Sequence, residues 1–214
     1  MRPQCIDYSL YLVTDRELSR GRTTLEIVEA AVSGGVTCVQ LREKTASTRE
    51  FISEALKIRP YLRSANVPLI INDRLDVALA VEADGVHLGR KDMPLAMARA
   101  IVERRMIIGI SVESPEDAIA AEKGAADYLG VSPIFATPTK ADTAPALGVA
   151  GLRTIRRAVS LPLVGIGGVN PGNAAEIIRN GADGIAVVSA IVAAEDPARA
   201  ARNLKSVIAE ARRR

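Results

Sequence analysis

The sequence predicts an α/β protein folded as a single (β/α)8 TIM barrel, and three observations lead to this fold class. Short apolar runs rich in β-branched residues recur eight times along the 214-residue chain. Helical patterns of about 10–15 residues alternate with them, which indicates βαβ units and a parallel sheet. The eight units fill the chain, so we expect one domain over residues 1–214. A doubly wound open sheet is the alternative, but a chain filled by eight units favours the barrel.

The predicted strands are almost continuously apolar, as expected when both faces of a parallel sheet are covered. In chain order they are LYLVTD (10–15), CVQLRE (38–43), PLIIND (68–73), GVHLG (85–89), MIIGIS (106–111), YLGVSP (128–133), LPLVGIGG (161–168) and GIAVVSA (184–190). Helical patterns fill the gaps between strands, among them TTLEIVEAAVSGG, PEDAIAAEKGA and PGNAAEIIRNGA, and another follows the last strand at 197–214. Glycines in SGGVT, KGAADY and NGADGI are expected to end helices in a left-handed conformation.

Composition narrows the class of function. The net charge is only +3, the basic residues are scattered apart from Arg212–Arg214, and aromatic residues make up 3%, which argues against a nucleic-acid surface. Cys5 and Cys38 lack metal-ligand spacing and indicate reduced thiols. The sequence shows neither a signal-peptide core nor the ~20-residue apolar run of a membrane helix. We expect a cytoplasmic protein with small-molecule substrates and no membrane or nucleic-acid partner; a homodimer is compatible with the sequence.

Polar residues gather where the predicted strands end. In such barrels the active site lies at the carboxyl ends of the strands. The candidates there are Gln40, Arg42 and Lys44 at strand two, Asn72 and Asp73 at strand three, Asp92 past strand four, Ser111 at strand five, and Val188 and Ser189 at strand eight. We therefore expect the functional site at this end of the barrel.

The stretch VQLREK places an amide and two cations on alternate positions of strand two. Alternation would turn Gln40, Arg42 and Lys44 to the same side. An unpaired buried charge costs on the order of several kcal/mol, whereas the guanidinium fork and the ammonium both suit a phosphate. An anion site is the favoured interpretation, and a structural ion pair with Glu43 or Asp73 is the alternative.

Asp73 and Asp92 follow neighbouring strands and could hold Mg²⁺. This ion typically takes one or two protein carboxylates together with phosphate oxygens of a substrate. Helix capping is the alternative, because each aspartate precedes a helical pattern. Taken with the cations nearby, the pair favours an anionic substrate bridged by a metal.

The ends of strands seven and eight suggest a second anion site. Glycine amides in GIGGVNPGN, including Gly168, and the helix start at Ser189 could bind a phosphate. The alternative is that Asn170 and Ser189 only cap helices. The glycine spacing does not match G-x-G-x-x-G, so no nicotinamide cofactor is expected.

A loop of about 15 residues follows strand six, and loops of that length are often functional. It carries the donors Thr137, Thr139 and Lys140, although a solvated loop is the alternative.

The only histidine, His87, lies inside strand four and is expected to be a buried partner rather than a catalyst. The residues together predict a barrel enzyme with a metal-bridged polyphosphate site at strands two to four, aided by Lys140, and a monophosphate site at strands seven and eight.

Seven motifs then resemble one family. VQLREK, IINDR, DGVHLG..D.P, GIS, SPIFATPTK, GIGGV and VVSAI, in this order, are similar to the motifs of thiamine phosphate synthases over nearly the whole chain. Arg90 departs from the pattern, since the family usually has Gln after HLG. The resemblance implies that an aminopyrimidine methyl diphosphate joins a thiazole phosphate, giving thiamine phosphate and pyrophosphate, with pyrophosphate leaving first.

The resemblance also implies roles for residues. Catalysis would fall to Arg42, Lys44, Ser111 and Lys140, and Mg²⁺ would bind Asp73 and Asp92. The substrate-binding residues would be Gln40, Leu41, Arg42, Glu43, Lys44, Asn72, Ser111, Thr137, Pro138, Thr139, Lys140, Gly168, Val188 and Ser189. No general base is required, because the thiazole nitrogen is itself the nucleophile.

Three other functions compete with this interpretation. A thiazole tautomerase would need an acid/base group and no diphosphate site, so NDR, Asp92 and TPTK argue against it. A non-catalytic barrel that binds thiamine precursors and regulates a partner has no supporting appended segment. A sugar-phosphate isomerase or epimerase would share the site at strands seven and eight but not Gln40, Arg42 and Lys44.

Overall fold

The computed structural model describes residues 6–137 and 145–213, and its eight parallel strands close into a barrel in chain order. The strands are β1 (Leu10–Val13), β2 (Cys38–Leu41), β3 (Leu69–Asn72), β4 (Gly85–Leu88), β5 (Ile107–Val112), β6 (Tyr128–Val131), β7 (Leu163–Gly165) and β8 (Gly184–Val187). The ring closes where β1 pairs with β8, with Leu12 opposite Val187. The predicted fold class is confirmed, and most strands are shorter than predicted.

Helices follow the strands around the outside of the barrel. They are α1 (Thr24–Ser33), α2 (Thr48–Ser64), α3 (Leu75–Ala80), α4 (Leu95–Val102), α5 (Pro115–Lys123), α6 (Gly148–Ala158), α7 (Ala174–Arg179), α8 (Ser189–Val192) and α9 (Pro197–Arg213). The four-residue α8 begins at Ser189, where the sequence predicted a helix start. Within the described residues, no helix combines the length and apolar character that crossing a membrane requires.

Local sequence explains where the first two helices begin. Thr23 and Ser47 each accept a hydrogen bond from a backbone N–H three residues later, and the carboxylate of the glutamate at that later position accepts a bond from the N–H of the capping residue. Such capping boxes satisfy N–H groups that a helix start would otherwise leave unpaired. The backbone hydrogen bond from Thr23 is the main reason that the pKa of Glu26 lies below its usual value.

Two of the three predicted helix-ending glycines are left-handed. Gly35 and Gly181 have φ of 101° and 102°, as expected where a helix stops. In KGAADY, however, Gly124 is not left-handed, and Ala125 takes the positive φ of 63°. The turn is therefore one residue later than the sequence suggested.

Side chains alternate between two apolar layers. Leu12, Val39 and Leu41 belong to the large cluster between the sheet and the helices. Tyr11 and Tyr128 point instead into the barrel, where they form part of a smaller central cluster. A filled interior of this kind makes the barrel a packed core rather than a pore.

One hydrogen-bond pattern occurs four times at the amino ends of the strands. Each case joins two residues: the one just before an even-numbered strand, and one at the start of the preceding odd-numbered strand. The side chain of the first residue accepts a hydrogen bond from the backbone N–H of the second. The backbone N–H of the first residue donates to the backbone carbonyl of the second. The side-chain bonds join Thr37 to Leu10 (3.1 Å), Asp84 to Leu69 (2.8 Å), Asp127 to Ile108 (2.8 Å) and Asp183 to Leu163 (2.8 Å). We call these four paired contacts the amino-end clamps.

The clamps satisfy backbone N–H groups that have no strand neighbour to bind. Leu69 is buried, so its N–H would be costly to leave unpaired. The amino mouth is thereby committed to stability, which leaves the carboxyl mouth for chemistry.

We expect Asp84→Ala to lower the free energy of unfolding by about 1–3 kcal/mol, because the N–H of Leu69 then loses its partner. Urea denaturation of the purified protein would measure the change. Glu29→Ala removes an exposed carboxylate from α1 and is the control, with an expected change within about 0.5 kcal/mol. Equal stability losses in the two variants would contradict a role for the clamp.

Candidate active site

Strand β2 delivers Gln40 to the barrel interior, and the chain leaves the strand after Leu41. The predicted alternation through Lys44 is therefore wrong beyond Leu41: Arg42 and Lys44 lie in the connection that follows, at the carboxyl mouth. Leu41 packs in the outer cluster, so only its backbone faces the mouth. The carboxylate of Glu43 pairs with Arg16 at 3.3 Å.

Arg42 is held by the segment after β1. Its guanidinium donates to Asp15 at 2.9 Å, and its backbone N–H donates to the hydroxyl of Thr14 at 3.0 Å. Sequence reasoning named Glu43 or Asp73 as possible partners and missed Asp15. Asp15 ends the predicted first strand, so the rule that found the other mouth residues would also have found it.

Lys44 and two aspartates form a compact charged group. The ammonium of Lys44 contacts the carboxylate of Asp73 at 2.5 Å, which is one of the ion pairs considered as the alternative. Burial raises the pKa of Asp73, but the hydrogen bonds from Lys44 and then Asp92 outweigh it and lower the pKa overall. Burial, followed by the hydrogen bond with Asp73, raises the pKa of Asp92. The two carboxyl groups thus lie within hydrogen-bonding reach of each other.

Neither aspartate caps a helix. The cap positions of α3 and α4 are Arg74 and Pro94, and neither helix has a side-chain cap bond. Asp92 instead accepts a hydrogen bond from the N–H of Gly89 at 2.7 Å, and Asp73 has a left-handed φ of 63°. The capping alternative is therefore wrong, and the two carboxylates remain available to a cation.

Two more candidate residues lie at the mouth, on strands that flank β4. Asn72 ends β3 and is 8% exposed, and Ser111 lies on β5 beside His87, with 2.9 Å between its hydroxyl and Nε2 of the imidazole. His87 is partly buried and also contacts Tyr128, as expected for a partner residue. Ser111 is thus anchored by a side chain deeper in the barrel. Gln40 is anchored in the same way, because its Nε2 donates to the hydroxyl of Tyr11.

The turn after β7 has a rigid, tightly packed backbone. Gly167 and Gly168 have φ of 101° and 64°, and a Cβ atom on Gly168 would lie 2.7 Å from the carbonyl oxygen of Ala136. The side chains of Asn170 and Asn173 both donate to the carbonyl of Gly168. Only glycine fits this position without displacing the chain that leaves β6.

The cap alternative is borne out in part for Asn170, whose side chain accepts a hydrogen bond from the N–H of Gly172 at 2.9 Å in the turn that leads into α7, and it is wrong for Ser189. Helix α7 begins at Ala174, and its cap position, Asn173, makes no side-chain cap bond. Ser189 is the first residue of α8 rather than its cap, and Val188 precedes it. Val188 packs beside the central cluster, which places both residues at the mouth.

Arg22, which the sequence did not single out, fixes α8. Its guanidinium donates to the carbonyls of Val192 (2.9 Å), Ala194 (2.8 Å) and Glu195 (3.3 Å), and to that of Ser19 (3.0 Å). A cation at the carboxyl end of a helix satisfies carbonyls that lack a partner. No sequence signal marks this residue, because its partners lie about 170 residues away.

The loop after β6 is described only in part. Thr137 lies at the end of the first described range, while the predicted ligands Pro138, Thr139 and Lys140 fall outside the described residues.

Arg90, the departure from the family pattern, donates to Glu113 at 2.8 Å and is largely exposed. It links the connections after β4 and β5 across the rim.

Comparison with known proteins gives a consistent result. The family model for thiamine monophosphate synthase matches residues 10–191. A thiamine-phosphate synthase from Chloroflexus aurantiacus is 56% identical over 203 residues, covering 95% of this chain and 94% of the relative; one from Albidiferax ferrireducens is 55% identical over 199 residues, covering 93% and 91%. The solved thiamine phosphate pyrophosphorylase from Pyrococcus furiosus is 43% identical, with a TM-score of 0.89 and coverage of 96% and 97%.

We expect Gly168→Ala to lower the free energy of unfolding by about 1–3 kcal/mol more than Gly21→Ala does, because alanine at 168 is both left-handed and overpacked. Gly21 is the matched control, since it also has a positive φ of 81° but has no atom within 4 Å of an added Cβ. Chemical denaturation of both variants measures the difference. Similar losses of stability in the two variants would contradict the prediction, because they would mean that the chain leaving β6 moves aside for the added Cβ atom at little cost.

Proposed function

The chain belongs to the thiamine monophosphate synthase family, and we propose that it works by holding two phosphorylated substrates in two sites at the carboxyl mouth of the barrel. The enzyme is a transferase that joins 4-amino-2-methyl-5-(diphosphooxymethyl)pyrimidine to 4-methyl-5-(2-phosphooxyethyl)thiazole, forming thiamine phosphate and pyrophosphate. The observation that carries the proposal is the charged group of Lys44, Asp73 and Asp92 at the carboxyl mouth. Arg42, which is held by Asp15, leaves the same strand two residues before Lys44.

The diphosphate site of the proposal lies at β2, β3 and β4. Arg42 offers a guanidinium fork and Lys44 an ammonium, both of which bind phosphate oxygens well. Gln40, Asn72 and Ser111 would hold the aminopyrimidine, with Lys140 completing the site. The peptide groups of Leu41 and Glu43 would line the same exit from β2, while their side chains pack elsewhere.

The thiazole phosphate site of the proposal lies at β7 and β8. The turn at Gly168 and the first residue of α8, Ser189, bring backbone N–H groups and a hydroxyl together, and such groups bind phosphate without a net charge. Val188 would contact the thiazole from the inner layer. Thr137, Pro138 and Thr139 would also bind this substrate.

Asp73 and Asp92 fit a Mg²⁺ ion. Their carboxyl groups are close enough to share a proton, and a divalent cation can take the place of that proton. Within the described ranges no group of three or more histidine, cysteine or acidic residues could hold a metal, so the remaining ligands would be phosphate oxygens and water, as is common for Mg²⁺. When bound, the ion supplies positive charge to the departing pyrophosphate.

The residues present suit a reaction in which pyrophosphate leaves before the new bond forms. Negative charge then develops on the leaving group, and Arg42 and Lys44 are already positioned to stabilise it. Such preorganised electrostatics is often the largest contribution to catalysis. The thiazole nitrogen attacks the pyrimidine methylene carbon directly, so the site needs neither a nucleophile nor a general base of its own.

The chain acts in the cytoplasm as one domain over residues 1–214, and a homodimer is compatible with this function.

Thiazole tautomerase activity is the second candidate, but the paired carboxylates beside Lys44 have no use in that isomerisation. Solved barrels of other function, such as 3-hexulose-6-phosphate synthase at 17% identity and a TM-score of 0.72, share the fold alone.

We expect pyrophosphate release to require both precursors and Mg²⁺. A coupled pyrophosphate assay would be run with each precursor alone, with both, and with both after chelation by EDTA and again after adding excess Mg²⁺. Only the mixture of both precursors with Mg²⁺, and the chelated mixture after excess Mg²⁺ is added, should turn over. Asp73→Asn should need more Mg²⁺ for half-maximal rate because one ligand has lost its charge. Turnover that persists unchanged in EDTA would contradict the assignment of Asp73 and Asp92.

Arg42→Ala should lower kcat/KM for the pyrimidine diphosphate by about 10- to 100-fold, the size of a lost charge-assisted hydrogen bond. Ser189→Ala should instead raise the apparent KM for the thiazole phosphate by about 2- to 10-fold. Steady-state kinetics with each substrate varied in turn measures both effects. Each variant is the control for the other, and equal effects of both changes on both substrates would refute the two-site division.

A further inference from the structure

A continuous chain of side-chain hydrogen bonds crosses the interior of the barrel. Nε2 of Gln40 donates to the hydroxyl of Tyr11 at 3.0 Å, and that hydroxyl lies 2.9 Å from the hydroxyl of Tyr128. The Tyr128 hydroxyl lies 2.9 Å from Nδ1 of His87, whose Nε2 lies 2.9 Å from the hydroxyl of Ser111. We call these five residues the barrel relay.

The barrel makes room for the relay at two glycines. A Cβ atom on Gly109 would lie 2.1 Å from Cζ of Tyr128, and one on Gly130 would lie 2.9 Å from Cε1 of His87. Any larger residue at 109 would therefore displace the Tyr128 ring, which also stacks on Tyr8 at a centroid distance of 4.6 Å. The packing fixes both rings, so the relay has one geometry rather than several.

The amide of Gln40 fixes the direction of the relay. An amide nitrogen only donates, so the Tyr11 oxygen accepts, and the proton of Tyr11 is left for another partner. The thiol of Cys38 is also within hydrogen-bonding reach of Tyr11, but sulfur is a weaker acceptor than the oxygen of Tyr128. Tyr11 therefore donates to Tyr128.

The same reasoning extends the direction to Ser111. Each phenol has one proton, so Tyr128 donates onward to Nδ1 of His87, which leaves the proton of a neutral imidazole on Nε2. Nε2 donates to Ser111, and the hydroxyl proton of Ser111 is left to point at a substrate. Burial raises the pKa of both Tyr11 and Tyr128 well above the usual value, so both phenols keep their protons.

We propose that Tyr11, Tyr128 and His87 are positioning residues that set the hydrogen-bond direction of the two relay ends, leaving Gln40 as an acceptor through its carbonyl oxygen and Ser111 as a donor. This inference rests on the proposed function, in which these ends hold the aminopyrimidine. The ring group at Gln40 must then donate and the one at Ser111 must accept. An amino group beside a ring nitrogen, as in an aminopyrimidine, offers this pair.

The test uses the fact that His87 is the only histidine in the chain. Labelling with ¹⁵N-histidine gives one imidazole, whose tautomer can be read by NMR from its two nitrogens in the protein without substrate. We expect a proton on Nε2 and none on Nδ1. A proton on Nδ1 instead would mean that the relay runs in the opposite direction and would overturn the proposal.

Tyr128→Phe removes the group that donates to Nδ1 while keeping the ring. We expect a mixture of both tautomers, together with a loss of about tenfold in kcat/KM for the pyrimidine diphosphate and an unchanged apparent KM for the thiazole phosphate. Tyr61→Phe is the matched control, since its hydroxyl binds the carbonyl of Glu29 on the outer surface, and it should change neither readout. Tyr11→Phe breaks the relay one step earlier and replaces Tyr128→Phe if that variant does not fold.

Kinetics of Tyr128→Phe that match those of the wild type would overturn the positioning role, even with the expected tautomer in the wild type. The tautomer is read without substrate, so it is independent of the reaction. A wild-type protein that shows the Nε2 proton but releases no pyrophosphate with both precursors would leave the relay standing and refute the proposed function.

Discussion

Closure of eight parallel strands into one ring is the constraint on which the rest of the molecule depends. Parallel strands send all their carboxyl ends to the same mouth, so residues far apart in sequence meet there without any specific attraction between them. Arg42 and Asp15 are 27 residues apart, and Lys44 and Asp73 are 29 apart, yet both pairs are in contact. The backbone places these charges, and their mutual attraction only adjusts the final positions.

The charges at the mouth are paired but exchangeable. Lys44 is about half exposed in its contact with Asp73, and ion pairs that water can reach contribute at most about 1 kcal/mol. In the proposed function, a diphosphate and a divalent cation would therefore take over Lys44 and Asp73 at little cost. The Arg42 contact is more buried, which keeps the guanidinium oriented when no substrate is present. A site that must accept a highly charged ligand is thus held ready without carrying uncompensated charge.

The sequence revealed the architecture and most of the mouth because both follow from periodic patterns. It did not reveal strand ends: β2 stops at Leu41, since closure of the ring rather than hydrophobicity decides where pairing ends. The partner of Arg42, the anchoring of α8 by Arg22 and the relay through Tyr11 and Tyr128 depend on which side chains meet across the barrel. Helix capping by Asp73 and Asp92 was plausible from local sequence alone, and the contact between their carboxyl groups overrides it.

The amino-end clamps divide the ring into four quarters, each made of an odd-numbered strand, its helix and the next strand. Each clamp joins residues only 15 to 27 positions apart. Loops of that size cost little entropy to close, so a quarter can form its own contacts before it meets the others. Fast folding is typical of proteins whose contacts are local, and the clamps give this barrel a set of local contacts within each quarter despite its closed ring.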